Sequence, residues 1–150
     1  IAALKENPLF KDFSTLQLNK IVKFLHERDY KINEYVFREK QPGLGMYLIL
    51  EGKIEISRST KKGRIVLANL EKNDFFGELA LFNNLERSAD AKVLEHAKVF
   101  GFFQPDLLDI IKSYPDIGTK ILFNLSKVLA LRLTNTNNEL EELKENISFE

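Results

Sequence analysis

The sequence contains no cysteine and no tryptophan, a single methionine and two histidines. Without cysteine there is no disulfide framework and no thiol chemistry, which fits a cytoplasmic protein. His26 and His96 lie far apart, and neither has carboxylate or histidine neighbours at metal-ligand spacing. A metal site is therefore not expected, nor is a nucleophilic triad or a cupin-type metal enzyme, which needs a histidine cluster. An excess of one charge is also missing: 22 basic side chains balance 22 acidic ones. Nucleic-acid-binding surfaces carry a basic excess or stripe, so direct DNA contact by these residues is not expected. Apolar runs are short and interrupted, as at Met46–Leu50, well below the length of a membrane span. No signal peptide opens the chain. It begins at Ile1 rather than Met, as a trimmed product or a fragment of a longer protein would.

What is present is enough for one domain with a core. The chain has 150 residues, 44% of them hydrophobic, and its twelve phenylalanines point to a core of Phe, Leu and Ile. Leu4, Leu9 and Phe10 around Pro8 read as a short helix or turn. Ser14 with Gln17 forms a capping box, with Phe13 placed to staple onto Leu18, and Leu18, Ile21, Val22 and Leu25 follow at helical spacing.

From about Asp29 to Phe103 the period changes to that of strands. Tyr35–Arg38 reads as one strand. Met46–Leu50 and Lys53–Ser57 read as a hairpin about Glu51-Gly52, and Arg64–Leu70 follows a polar turn. Ala89–Leu94 and Ala97–Phe102 are two further runs. Short, closely spaced strands with glycine-containing turns point to an antiparallel jelly-roll barrel, making the fold class α+β, mainly β. After Gln104 the helical period returns, with Pro105 suited to a first turn. A long helix follows Pro115, from roughly Asp116 to Asn146. The expected organisation is a barrel with N-terminal helices over residues 1–115 and a long lid or dimerisation helix over 116–150, all in one domain.

The chemistry concentrates in Phe75-Phe76-Gly77-Glu78-Leu79-Ala80-Leu81-Phe82 and the following Glu86-Arg87-Ser88-Ala89. Gly77 permits a sharp turn and a close approach of backbone to a ligand. Glu78–Leu81 opens a helical turn whose first N–H groups suit an anion. Arg87 can grip two phosphate oxygens, whereas an ionised Glu78 accepts only and suits a sugar hydroxyl. Taken alone, these residues favour the plainer reading of a buried Glu78–Arg87 ion pair that only stabilises the barrel, because buried charges are usually paired.

FGELALF followed by ERSA resembles the phosphate-binding cassette of the cyclic-nucleotide-binding domain family, and within it the regulatory domains of bacterial catabolite activators. The resemblance covers roughly residues 9 to 140 and includes the stretches at 45–49, 51–54 and 70–78. It implies a non-enzymatic sensor. Arg87 would pair with the exocyclic phosphate oxygens and Glu78 would accept from the ribose 2′-hydroxyl. Phe76, Gly77, Leu79 and Ala80 would line ribose and phosphate, and Ser88 and Ala89 would complete the pocket. The ligand would be cAMP, with cGMP permitted by Ser88, and no metal would be involved. Two departures stand out: Asn73, where the family often has glycine, and Val93, where alanine is common. Asn tolerates left-handed backbone, so the turn at 73 is expected to survive.

The long helix carries Leu129, Leu133, Thr136, Leu140, Leu143 and Ile147 at alternating spacings of four and three, a heptad seam. Ile121, Leu122, Leu125 and Val128 would cover the barrel, and the later residues would meet a second copy in a homodimer. Residues 131–140 resemble the catabolite activator helix that closes over the nucleotide, which gives Thr136 and Asn137 the base-contacting positions. Movement of this helix would couple ligand to the rest of a transcription regulator or other signalling protein. The competing reading is a domain of the same fold that keeps only an interaction role.

Overall fold

The computed structural model describes residues 2–83 and 85–148. The ends of the two expected segments, Ile1 and residues 149–150, lie outside the described residues. A short helix, α1 (Ala2–Lys5), leads into α2 (Thr15–Val22). At the start of α2 the predicted capping box is complete: Gln17 N–H donates to Ser14 Oγ at 3.2 Å, and Ser14 N–H donates to Gln17 Oε1 at 2.9 Å. Phe13 and Leu18 enter the same core.

Among the described residues six strands follow: β1 (His26–Tyr30), β2 (Tyr35–Phe37), β3 (Gly45–Thr60), β4 (Gly63–Leu70), β5 (Phe75–Phe76) and β6 (Asp90–Phe103). All pairings are antiparallel. The two long strands β3 and β6 lie side by side. β1 and β2 share the far edge of β6, and β4 and β5 share the far edge of β3. The hydrogen-bonded path is open, yet side chains from all six strands meet in one core around Tyr47, Ile49, Ile54, Val93 and Val99. The sheet is therefore curled on itself in the manner of a jelly roll. The chain closes with α3 (Gln104–Ser113) and α4 (Pro115–Ser148).

Two sequence expectations need correction. Met46–Leu50 and Lys53–Ser57 do not form a hairpin; they are halves of the continuous strand β3, which pairs with β6 along both halves. Gly52, at φ +97°, sits at one of the register shifts, where an added Cβ would fall 2.7 Å from Ala97 Cα. The glycine marks a bulge that bends a long strand, not a reversal. The true hairpin is β3–β4, closed by Lys61 and Lys62. The two runs after Ala89 are likewise one strand. β1 escaped the strand reading because His-Glu-Arg-Asp-Tyr has no apolar alternation; it is an edge strand with four of its five residues exposed.

Period-two alternation divides the strands between two cores. Tyr47 and Ile49 face the barrel core, while Met46 and Leu48 face a second core with Phe10, Leu18, Phe102, Ile110, Ile121 and Leu125. That second core joins the N-terminal segment, α3 and the first half of α4 to one end of the barrel. Leu122 and Val128 pack against it, as the sequence implied. Two buried asparagines tie the N-terminal segment down. Asn124 of α4 donates to Leu9 O at 2.8 Å, and Asn7 donates to Asn73 O at 3.0 Å. Asn73 adopts φ +76°, so the left-handed turn before β5 is made without glycine. Beyond residue 128 every described α4 side chain except Leu129 is exposed.

Candidate functional site

β5 delivers the chain to Gly77, whose φ of +76° turns it into a 3₁₀ turn at Glu78–Leu81. Ala80 N–H bonds back to Gly77 O at 3.2 Å, leaving the N–H groups of Glu78 and Leu79 without an acceptor inside the turn. The chain then returns to β6 through Arg87, Ser88 and Ala89. Gln41 O accepts from Arg87 N–H at 2.8 Å and Arg87 O accepts from Lys40 N–H at 2.7 Å, so the backbone on both sides of the guanidinium is fixed.

Arg87 is only 8% exposed. Its Nη2 donates to Gly45 O at 2.6 Å and its Nη1 to Gly77 O at 3.3 Å, while Nε, fully buried, has no hydrogen-bond partner. The guanidinium carbon lies 4.1 Å from the centre of the Phe37 ring. Burial pushes the Arg87 pKa down, with only partial opposition from Tyr47. Among the described residues no carboxylate stands within ion-pair distance of Arg87. A desolvated cation with a spare donor and no counter-ion is costly unless an anion arrives. Glycine suits position 77 because φ +76° strains other residues, and an added Cβ, 2.5 Å from Arg87 Nη1, would displace the guanidinium.

The carboxylate of Glu78 is also nearly buried, but its partner is not the one the sequence offered. It pairs with Arg132 of α4, not with Arg87. Arg132 lies with its guanidinium carbon 4.9 Å from the centre of the Phe75 ring, and burial lowers its pKa against the opposing effect of Asp74. The simple Glu78–Arg87 pair is thereby excluded as the reason these two residues are buried. Arg132 was missed because neither the cassette motif nor the apolar seam includes it. The one available signal was its place one helical turn before Thr136, as the only arginine of α4.

These groups surround a cavity of about 520 Å³, a normal size for a small-molecule site. Ile56, Ala68 and Leu70 of the β3–β4 pair line it with Phe37, Arg132 and the cassette. Phe76, Gly77, Glu78, Leu79, Ala80, Arg87, Ser88 and Ala89, all singled out from sequence, are brought together there. Thr136 and Asn137 are not among its lining residues; they are exposed on α4, about one turn beyond Arg132. Among the described residues no group of side chains could hold a metal ion, and no helix is long and apolar enough to cross a membrane.

The Cyclic nucleotide-binding domain family matches residues 27–114, more than half of the chain. The cyclic AMP receptor protein of Thermus thermophilus is 29% identical over 141 residues, covering 93% of this chain and 63% of that protein. The CRP-like cAMP-activated global transcriptional regulator of Mycobacterium tuberculosis is 30% identical over 136 residues, covering 90% and 59%. Among solved structures, the catabolite activator protein of Thermus thermophilus superposes with a TM-score of 0.84 at 29% identity, covering 92% of this chain and 63% of that one. The chain thus spans about three fifths of the length of these relatives. Motif, curled sheet and cavity agree with the family match: the chain belongs to the cyclic nucleotide-binding domain family.

Proposed function

We propose that this domain is a non-enzymatic cytoplasmic sensor that binds cAMP in the cavity between the cassette, the β3–β4 pair and α4. The observation that carries the reading is Arg87, a buried cation with an unpartnered Nε–H and no counter-ion among the described residues. A cyclic phosphate supplies the missing charge and accepts the missing bond, each charge-assisted bond contributing about 1.5–3 kcal/mol. The N–H groups of Glu78 and Leu79 add donors, and the second carboxylate oxygen of Glu78 is suited to a ribose hydroxyl. Ile56, Ala68 and Leu70 offer an apolar surface to the base.

Coupling to α4 follows from Arg132. One residue pairs with the carboxylate assigned to the sugar and lines the same cavity, so ligand and helix position share a contact. A ligand shifts such an equilibrium only by its difference in affinity for the two helix positions. The exposed seam of Leu133, Leu140, Leu143 and Ile147 supports a homodimer through α4. In that dimer Thr136 and Asn137, from either copy, would read the base. The output would be passed to the remainder of a transcription regulator or other signalling protein. Calorimetric titration with cAMP and cGMP tests the reading: one-site binding with cAMP the tighter ligand is expected. Absence of heat with both nucleotides would leave only an interaction domain of the same fold.

A further inference from the structure

The guanidinium of Arg87 lies over an aromatic ring that neither the cassette motif nor the sequence reading includes. Phe37 comes from β2, on the far side of β6 from the β3–β4 pair. Its register is irregular: Tyr35 pairs with Lys92, but Phe37 pairs with Ala91, so two steps on β2 match one on β6. Consecutive residues of a regular strand face opposite sides. Here Val36 and Phe37 both pack on the barrel core, which the extra residue permits. The bulge thus aims Phe37 under Arg87, 4.1 Å from ring centre to guanidinium carbon. The ring is itself held by Phe76 at 5.7 Å and Tyr47 at 6.2 Å between centroids, and Tyr47 stacks on Phe76.

We infer that Phe37 is a positioning residue: its ring face fixes the plane of the Arg87 guanidinium, so that the cation meets a phosphate in a preset orientation. Two carbonyls set the rotation within that plane, Gly45 O on Nη2 and Gly77 O on Nη1. The ring quadrupole offsets the charge from below without accepting a hydrogen bond, which leaves Nε–H for an anion. An aliphatic side chain of similar size would fill the space but supply no quadrupole. This inference rests on the reading of the cavity as a cyclic-nucleotide site.

The test uses the intact chain with fluorinated phenylalanines incorporated at position 37. Fluorine withdraws the ring's negative face while keeping its shape. The cAMP dissociation constant should rise stepwise with fluorine number, to about fivefold for the pentafluoro ring. The same series in an Arg87→Gln background should be flat. A ligand-free readout accompanies it, the Arg87 Nε–H signal in a nitrogen-edited spectrum, assigned by its loss in Arg87→Gln. Phe37→Leu should move that signal downfield and speed its exchange with water, whereas Phe37→Tyr should keep it in place. No trend with fluorine, or an equal trend in Arg87→Gln, overturns the inference, and so does an Nε–H signal indifferent to Phe37→Leu. If the unmodified protein binds no cyclic nucleotide, the ligand reading fails instead, and the Nε–H signal still decides whether Phe37 orients the arginine.

Discussion

Glu78 and Arg132 are paired across the cavity, one from the turn after β5 and the other from α4, more than fifty positions further along the chain. The carboxylate is nearly buried and the arginine about half exposed, so the pair is neither a surface contact nor a sealed one. Arg132→Gln should therefore cost about 1 kcal/mol, less than a buried pair and more than a typical exposed one. That corresponds to a melting temperature lower by about 2–4 °C. Amide exchange should rise mainly in α4 beyond Val128, where the side chains have little else to hold them. Hydrogen exchange of the ligand-free protein checks this, and unchanged protection over 129–140 would refute it.

Arg87→Leu should weaken cAMP binding at least tenfold, about 1.4 kcal/mol. The leucine removes the cation yet remains compatible with Phe37 and Tyr47. Gly45 O and Gly77 O lose their guanidinium donors, so some stability goes too, but the two cores do not depend on this side chain. Calorimetry together with a circular-dichroism melt separates lost affinity from lost fold.

The double variant Leu133→Glu/Leu140→Glu should sediment as a monomer at micromolar concentration, and the unmodified chain should sediment as a dimer. Both leucines are half or more exposed on α4, away from either core. The single-chain fold should keep its melting temperature to within a few degrees. A loss of affinity for cAMP in the same variant would support a base contact made through the helix seam.

Asp90 gives the acid limb of stability. It is 3% exposed, accepts from Glu39 N–H at 2.6 Å, and pairs with Arg64 and, at 3.4 Å, with Arg38. Burial alone would raise its pKa, but the Glu39 N–H and the two arginines outweigh it and hold the carboxyl below the ordinary aspartate value. The ionised form therefore stabilises the fold at all pH above about 3.9, and that contribution is lost as the pH falls through the depressed folded value. Asp90→Asn should remove about 1–3 kcal/mol at pH 7 and flatten the decline in stability below pH 4. Denaturant titrations between pH 7 and pH 3 measure both effects.

The local features were legible in the sequence because each depends on neighbours along the chain. Ser14 and Gln17 cap α2 whatever lies beyond them. Asn73 supplies a left-handed turn, and Gly77 through Ala89 carries the whole cassette in one short stretch. The helical period after Pro115 announces α4, and its first apolar residues fall on the core. What required the folded chain is whatever joins distant segments. Gly52 reads equally well as a turn or a bulge, and only the continuous partner strand β6 makes it a bulge. His26–Tyr30 becomes a strand because β6 offers it an edge, not because its residues favour one. The sequence offers Glu78 one arginine, Arg87, and the folded chain gives it another. Packing of α4 against the barrel end brings Arg132 to it, while Arg87 is committed to two carbonyls and the ring of Phe37. A buried charge takes the partner that burial leaves nearest, and that is fixed by the tertiary structure.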